Sequence, residues 1–420
     1  MILRARTLLP VSRPPIENGA IWVSGQRIRQ VGRWQDFKHY LNEKVYDLGD
    51  AILLPGLVNS HCHLDYTDMA GQLSPPKGFT DWIGSITAAK SAWGYSEYAH
   101  SWLHGAHMLL KNGATTVADI ECIPDLLPDA WDATPLRVFS FLEMTGIRAK
   151  RPPQEVLEEA LNKIDSLHHP YSRAYLSPHA PYSTLPGLLQ LTATVARKRK
   201  FRVCTHLAES EQEFEMFMDG KGLMHDWLKR NERDTSDCGL GSPVRHAHAS
   251  GLLQENLLAV HVNFLAHGDS ALLAKQRVHI VHCPRSHDYF KHPAFLRERL
   301  TRAGVNICLG TDSLATTRKS GRQKLELNMF EEMRTLAGAD EWISPEEILQ
   351  MATINGAAAL GLQHQIGELV PKANADIIAI ADKGKRSDPY ERVLENTGPV
   401  LASMINGRWA IPPRDYASGS

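Results

Sequence analysis

Between residues 53 and 310 the sequence alternates short apolar runs with longer helix-forming stretches, and few folds accept that pattern. The runs are LLPGLVNS (53–60), TTVADI (115–120), RVFSFLEM (137–144), RAYLSP (173–178), FRVCTH (201–206), LLAVHV (257–262), VHIVHC (278–283) and VNICLG (305–310). Each has the length of a strand buried on both faces, as in a parallel sheet covered by helices. In the intervening segments, Val156, Ala160, Leu161, Ile164 and Leu167 recur at helical spacing and form one apolar stripe. Ser344-Pro345-Glu346-Glu347 places a capping serine, a first-turn proline and a glutamate three residues after the cap, just before an apolar-periodic run from Ile348. Eight strands with helices between them predict an α/β chain folded as a closed (β/α)8 TIM barrel over residues 55–365.

The two ends read differently. Residues 1–54 hold short alternating segments, such as Ile21-Trp22-Val23 and Ile28-Arg29-Gln30-Val31, separated by turn residues. Residues 366–420 return to short strands, ADIIAIA at 375–381 and VLASMING at 400–407. Both ends are expected to pair into one small β-sandwich beside the barrel. Residues 219–250, rich in Gly, Asp and Arg, read as a long inserted loop after the fifth strand.

A chain of 420 residues builds this core without covalent staples, and its six cysteines are scattered with no C-x-x-C pair, the pattern of reduced thiols in a cytoplasmic protein. The 46 basic and 47 acidic residues nearly cancel, so no field favours nucleic acid or anionic lipid. No apolar stretch approaches the roughly 18 residues of a membrane span, and the first residues lack the apolar core of a signal peptide. The expected partner is a small molecule, with no nucleic acid and no membrane; association into a homo-oligomer is compatible with the composition.

Side chains at the C-terminal ends of barrel strands converge on one mouth. His61, His63, His206, His261 and Asp312 all stand at or just after such ends. His61-Cys62-His63 is an H-x-H, a motif that 20 histidines produce by composition alone, and His246-Ala247-His248 is a second one. Context separates them. His61 and His63 close a strand, so both rings reach one face while Cys62 packs outward; the second pair lies in a polar stretch with nothing to hold either ring. His206 adds a third imidazole, and Gly310-Thr311-Asp312-Ser313 delivers a carboxylate. Three imidazoles and a carboxylate suit one divalent ion, zinc first and Fe2+ second, and such an ion yields hydroxide near neutral pH. Glu209, three residues after His206, is placed to carry protons to a substrate atom.

In order along the chain, LLPGLVNSHCHLD, SPHAPYS, THLAE, His261, HCPRSH, GTDS, ATINGAAALGL and GELVPKANADI resemble the amidohydrolase superfamily, in the branch of the cytosine, guanine and S-adenosylhomocysteine deaminases and the chlorohydrolase-like enzymes. The resemblance implies that His61, His63, His206 and Asp312 bind one metal, that Glu209 shuttles protons, and that His261 holds or polarises the attacking hydroxide. Asp312 takes the proton of the attacking water. The fourth strand lacks the lysine that two-metal relatives carboxylate, so one metal is implied. His179 resembles the histidine that bonds the substrate base. Arg148 and Trp82, on loops over the mouth, are expected to contact substrate. His287 stands where the branch usually has Asn, and Arg285 is added; Arg285 is also taken as a substrate contact, and Glu121 and Glu143 as groups that bond a purine edge or pair locally.

The expected reaction is release of ammonia from an aminated purine or adenosine-like nucleoside of the S-adenosylhomocysteine, methylthioadenosine or aminodeoxyfutalosine type. The alternative is hydrolysis of another amino- or chloro-substituted ring, such as guanine, a pterin or a triazine. Non-catalytic assembly proteins of the superfamily typically lose metal ligands, and this chain keeps every one.

Overall fold

The computed structural model describes residues 1–37, 40, 42–73, 76–147, 151–318, 324–382 and 388–413. Eight parallel strands run in sequence order around a barrel: Leu57–Cys62, Ala114–Glu121, Arg137–Met144, Arg173–Pro178, Val203–Leu207, Leu257–His261, His279–His282 and Asn306–Leu309. The eighth returns to the first through a parallel bridge between Cys62 and Asp312, with the amides of Thr311 and Asp312 donating to the His61 carbonyl at 3.0 and 3.1 Å. Val58, Ala118, Ile120, Phe141, Leu258 and Val281 fill the barrel interior, and the helix Ile354–Ala359 closes its lower end. The outward faces pack on the helices, Trp102 and Leu109 of Tyr95–Lys111 against Cys62 and Val117 among them.

Both chain ends enter a second, mixed sheet that contains Ile2–Leu8, Ile16–Ser24, Arg27–Arg33, Ala51–Pro55, Ile377–Ala381, Ala402–Ile405 and Arg408–Ile411. Here the reading of 53–60 as one strand is corrected. Ala51–Pro55 pairs with Ile2–Leu8 and Ile377–Ala381 in the terminal sheet, and the barrel begins at Leu57. Every residue of both pieces is buried, so apolar character is continuous through the break. Gly56 makes the change of sheet, where a Cβ would run into the Thr115 side chain.

Residues 219–250 are likewise more than a loop. They fold into the helices Leu223–Arg230 and Pro243–Ala249, which pack beside the helix Glu211–Asp219 that follows the fifth strand. The Ser344 capping box is formed, its hydroxyl accepting from the Glu347 amide at 3.2 Å. The helix Pro153–Ser166 buries Leu157, Ala160 and Ile164, the expected stripe.

Candidate active site

At the barrel mouth the first strand delivers His61 and His63. The pairing of this strand with the second shifts register between Asn59 and Cys62, so that Val58 faces the barrel interior while Cys62 turns to the surrounding helices. His206 closes the fifth strand, and Thr205 and His206 are tied to the fourth-strand loop: the His206 amide donates to the His179 carbonyl at 2.9 Å. His261 and Asp312 sit where their strands end, both with left-handed backbone, φ +73° and +53°. Such conformations are costly for non-glycine residues and cluster at functional sites.

The five groups come together. His61 Nε2 and His63 Nε2 lie 3.5 and 3.6 Å from Asp312 Oδ1, and His63 Nε2 lies 3.4 Å from His206 Nε2. Ligands about 2.05 Å from a tetrahedral ion stand roughly 3.3 Å apart, so these separations fit one divalent cation between the rings. His61 Nε2 is buried with no hydrogen-bond partner, which a cation would correct, and His261 Nε2 beside it is likewise buried and unpartnered. His206 Nδ1 stands 2.9 Å from the His179 carbonyl; donating there fixes the tautomer that turns a free Nε2 lone pair inward. Burial lowers the pKa of His63 and His261 to about 3, with neighbouring charges adjusting the shift, so the imidazoles stay neutral, the state in which they ligate metals.

Glu209 follows from the local chain path. Ala208 turns through φ +50°, Ser210 caps the helix Glu211–Asp219, and the buried Glu213 carboxylate accepts the amides of Ala208 and Glu209 at 3.1 and 2.8 Å. Asn263 donates to the Glu209 carbonyl at 2.9 Å. The Glu209 side chain is thereby aimed into the mouth, with Oε1 3.5 Å from His261 Nε2. Burial, reinforced by the charges of Asp312 and Glu213, raises its carboxyl well above the usual range, which favours the protonated form.

A cavity of about 290 Å³ opens above this set, near the lower end of ligand pockets at roughly 300–1,000 Å³. Trp82, Trp227 and Tyr182 give it aromatic walls; His179, Glu143 and Lys90 give it polar ones. His179 is oriented by Ser183 Oγ, 2.6 Å from its Nδ1, and its ring lies 4.8 Å from that of His206. Trp82 packs on Phe79 and Phe290. Arg148 lies outside the described residues. Arg285 is not brought to this cavity: its Nε meets Glu332 Oε1 at 2.5 Å, its Nη2 donates to the Glu326 carbonyl at 3.0 Å, and it lines a different pocket with Lys111 and Arg318. Nor does Glu121 reach the cavity. His287 is held between Asn263 Oδ1 and the Pro293 carbonyl, at 3.1 and 2.9 Å.

Sequence reasoning missed Lys90, Tyr66 and Trp227. Lys90 Nζ bonds the Tyr66 hydroxyl and sits 4.6 Å over its ring, and Tyr66 stacks on His63 at 5.1 Å. The signal for Lys90 was present: Trp82, Ile83, Ile86, Thr87 and Lys90 follow a helical period on Phe79–Ser91, and all five line the cavity. Trp227 was hidden in the segment read as a loop. That segment is fastened by Arg233, which is fully buried, bonds both Asp237 oxygens at 2.6 and 2.8 Å, and donates to the Pro181 carbonyl at 3.0 Å. His246 of the second H-x-H completes the knot, 2.8 Å from Asp237, so its ring has a partner after all.

The Amidohydrolase family pattern matches residues 52–410. The chain is 29% identical over 394 residues to the 5-methylthioadenosine/S-adenosylhomocysteine deaminase of Teredinibacter turnerae, covering 90% of this chain and 83% of that one. Its fold is similar to that of the Helicobacter pylori aminofutalosine deaminase in complex with methylthio-coformycin, at TM-score 0.86 and 20% identity, covering 97% and 99% of the two chains. It is similar also to an adenosine deaminase from Xanthomonas campestris with bound zinc, at TM-score 0.81 and 22% identity, covering 97% and 92%. Among the described residues no helix is long and apolar enough to cross a membrane. With a parallel barrel, a histidine–aspartate set at its mouth and a family match over most of its length, the chain belongs to the amidohydrolase family.

Proposed function

We propose that this protein is a zinc-dependent aminohydrolase that releases ammonia from an adenosine-like nucleoside. The observation that carries the reading is the buried Glu209 carboxyl 3.5 Å from His261, at the edge of the histidine set and beneath an aromatic-walled cavity. His61, His63, His206 and Asp312 would hold the ion, which supplies Lewis acidity and makes water nucleophilic at neutral pH. Zinc is chosen over Fe2+ on the donor set, three nitrogens and one oxygen.

Trp82 and Trp227 confine the flat base, and His179 donates to or accepts from its edge. Glu209 gives its proton to the ring nitrogen beside the carbon that carries the amine. Asp312 takes a proton from the attacking water, and His261 orients that water. A proton then passes to the amine, the carbon–nitrogen bond breaks, ammonia leaves, and a ring carbonyl stays behind. Glu143 and Lys90 face the part of the cavity into which a sugar and its 5′ substituent extend. The names of the curated relatives, which act on methylthioadenosine and S-adenosylhomocysteine, support the same substrate class.

The test is ammonia release by zinc-loaded protein from 5′-substituted adenosines, guanine, cytosine, pterins and triazines, with metal content read on the same sample. Turnover of adenine nucleosides is expected. Silence on every aminated ring with a filled site, or turnover confined to chlorinated rings, overturns the reading.

A further inference from the structure

A second set of metal-type residues lies outside the catalytic ligands. Asp65 follows His63 by two positions, Glu121 ends the second barrel strand, and Cys122 comes directly after it. One ligand atom from each lies within 4.8 Å of the others. Asp65 and Glu121 are fully buried, while Cys122 is half-buried and lines a separate groove of about 830 Å³ with Ile123, Glu143 and Lys163.

The hydrogen bonds within the set do not complete it. Cys122 Sγ stands 2.8 Å from Asp65 Oδ2, and Glu121 Oε1 accepts the Ile123 amide at 2.6 Å. Asp65 Oδ1 and Glu121 Oε2 are left buried with no partner. A buried carboxylate oxygen without a partner is costly, and here two stand in one cluster. A third buried carboxyl, Asp119, is satisfied by the Leu64 amide at 3.0 Å and Trp102 Nε1 at 2.9 Å, so it does not partner the two free oxygens. The basic group facing this region, Lys90, bonds the Tyr66 hydroxyl and is shared among Glu143, Cys122 and Asp65. No lysine or arginine bonds either free oxygen, and Asp65 Oδ1 and Glu121 Oε2 stay unpartnered beside the Cys122 sulfur.

We propose that Asp65, Glu121 and Cys122 form a second metal site that takes a zinc-class divalent cation. Two carboxylate oxygens and a thiolate are donors that zinc accepts, and the groove beside Cys122 is the entry path. On binding, the Cys122 S–H bond breaks, its proton and any held by the Asp65 and Glu121 carboxyls leave to solvent, and sulfur–metal and oxygen–metal bonds form without change of oxidation state. The ion ties the segment following His63 to the end of the second strand. It serves the scaffold of the catalytic set and does not depend on which substrate the enzyme takes.

Cobalt titration of the reduced, metal-free full chain tests this. The catalytic ligands include no thiolate, so a near-ultraviolet sulfur-to-cobalt charge-transfer band reports the second site alone. The expected result is two equivalents of Co2+ per chain, with the band growing alongside one of them. Cys122→Ser is expected to keep one equivalent and lose the band, and Glu121→Gln to weaken the band-forming equivalent at least tenfold. A wild-type chain that stops at one equivalent without the band overturns the proposal, and this reading needs no variant to fold. A band that persists in Cys122→Ser overturns it too.

Discussion

Gly310 gives His61 the space it occupies: a Cβ at Gly310 would stand 2.8 Å from the His61 carbonyl oxygen and 2.9 Å from both its Cβ and its amide nitrogen. Those atoms belong to the backbone or its first branch and cannot swing aside. The same carbonyl receives the amides of Thr311 and Asp312. A methyl group here drives apart the two strands whose ends carry His61 and Asp312. Gly310→Ala is expected to lower metal affinity about ten- to a hundredfold, the range seen when support of a ligand is lost. Zinc retained after dialysis against a buffered chelator measures it, and retention equal to wild type would show that the contact is not limiting.

Glu209→Gln keeps the shape of the side chain and removes the transferable proton. The backbone of residue 209 is held by Glu213 and Asn263, neither of which the substitution touches. Metal content should therefore match wild type while kcat falls about 10²- to 10⁴-fold, the usual worth of a positioned acid–base group. His61→Ala should instead lose metal and turnover together. Undiminished turnover in Glu209→Gln would remove that residue from proton transfer.

The barrel was legible because each strand is a bounded apolar run between amphipathic helices, and the convergence of His61, His63, His206, His261 and Asp312 because strand ends bring distant residues to one mouth. Three readings failed for physical reasons. The break at Gly56 is invisible in a run that is apolar on both sides, since both pieces are buried in different sheets. The 219–250 arm looked like a loop because its helices are short, seven and eight residues, and interrupted by glycines. Arg285 looked free because its partner, Glu332, lies 47 residues away in a helix that only the fold brings alongside.

Trp227 separates binding from chemistry. It lines the cavity from the helix Leu223–Arg230 and has no part in the proposed proton transfer. Stacking of a base on an aromatic ring is worth about 1–3 kcal/mol, so Trp227→Ala should raise KM for an adenine nucleoside roughly ten- to a hundredfold. Metal content and kcat should change little. A fall in kcat at unchanged KM would mean that Trp227 acts on the transition state rather than on the bound base.

The ion pair between Arg285 and Glu332 predicts a pH dependence of stability. Burial raises the Glu332 carboxyl from 4.5 to about 7, and the charge and hydrogen bonds of Arg285 offset only part of that cost. A group whose pKa rises on folding stabilises the fold below its unfolded pKa, and that contribution is lost as pH climbs through the folded value. Wild type should therefore lose on the order of 3 kcal/mol from this one group between about pH 4.5 and 7. Glu332→Gln has no proton to release in that window, so its thermal midpoint should fall less than that of wild type between pH 5 and 7. The comparison of slopes matters, because the substitution also weakens the hold on Arg285 and shifts both midpoints downward. Parallel slopes for the two proteins would place the Glu332 pKa near 4.5 and leave Arg285 as a fully compensating partner.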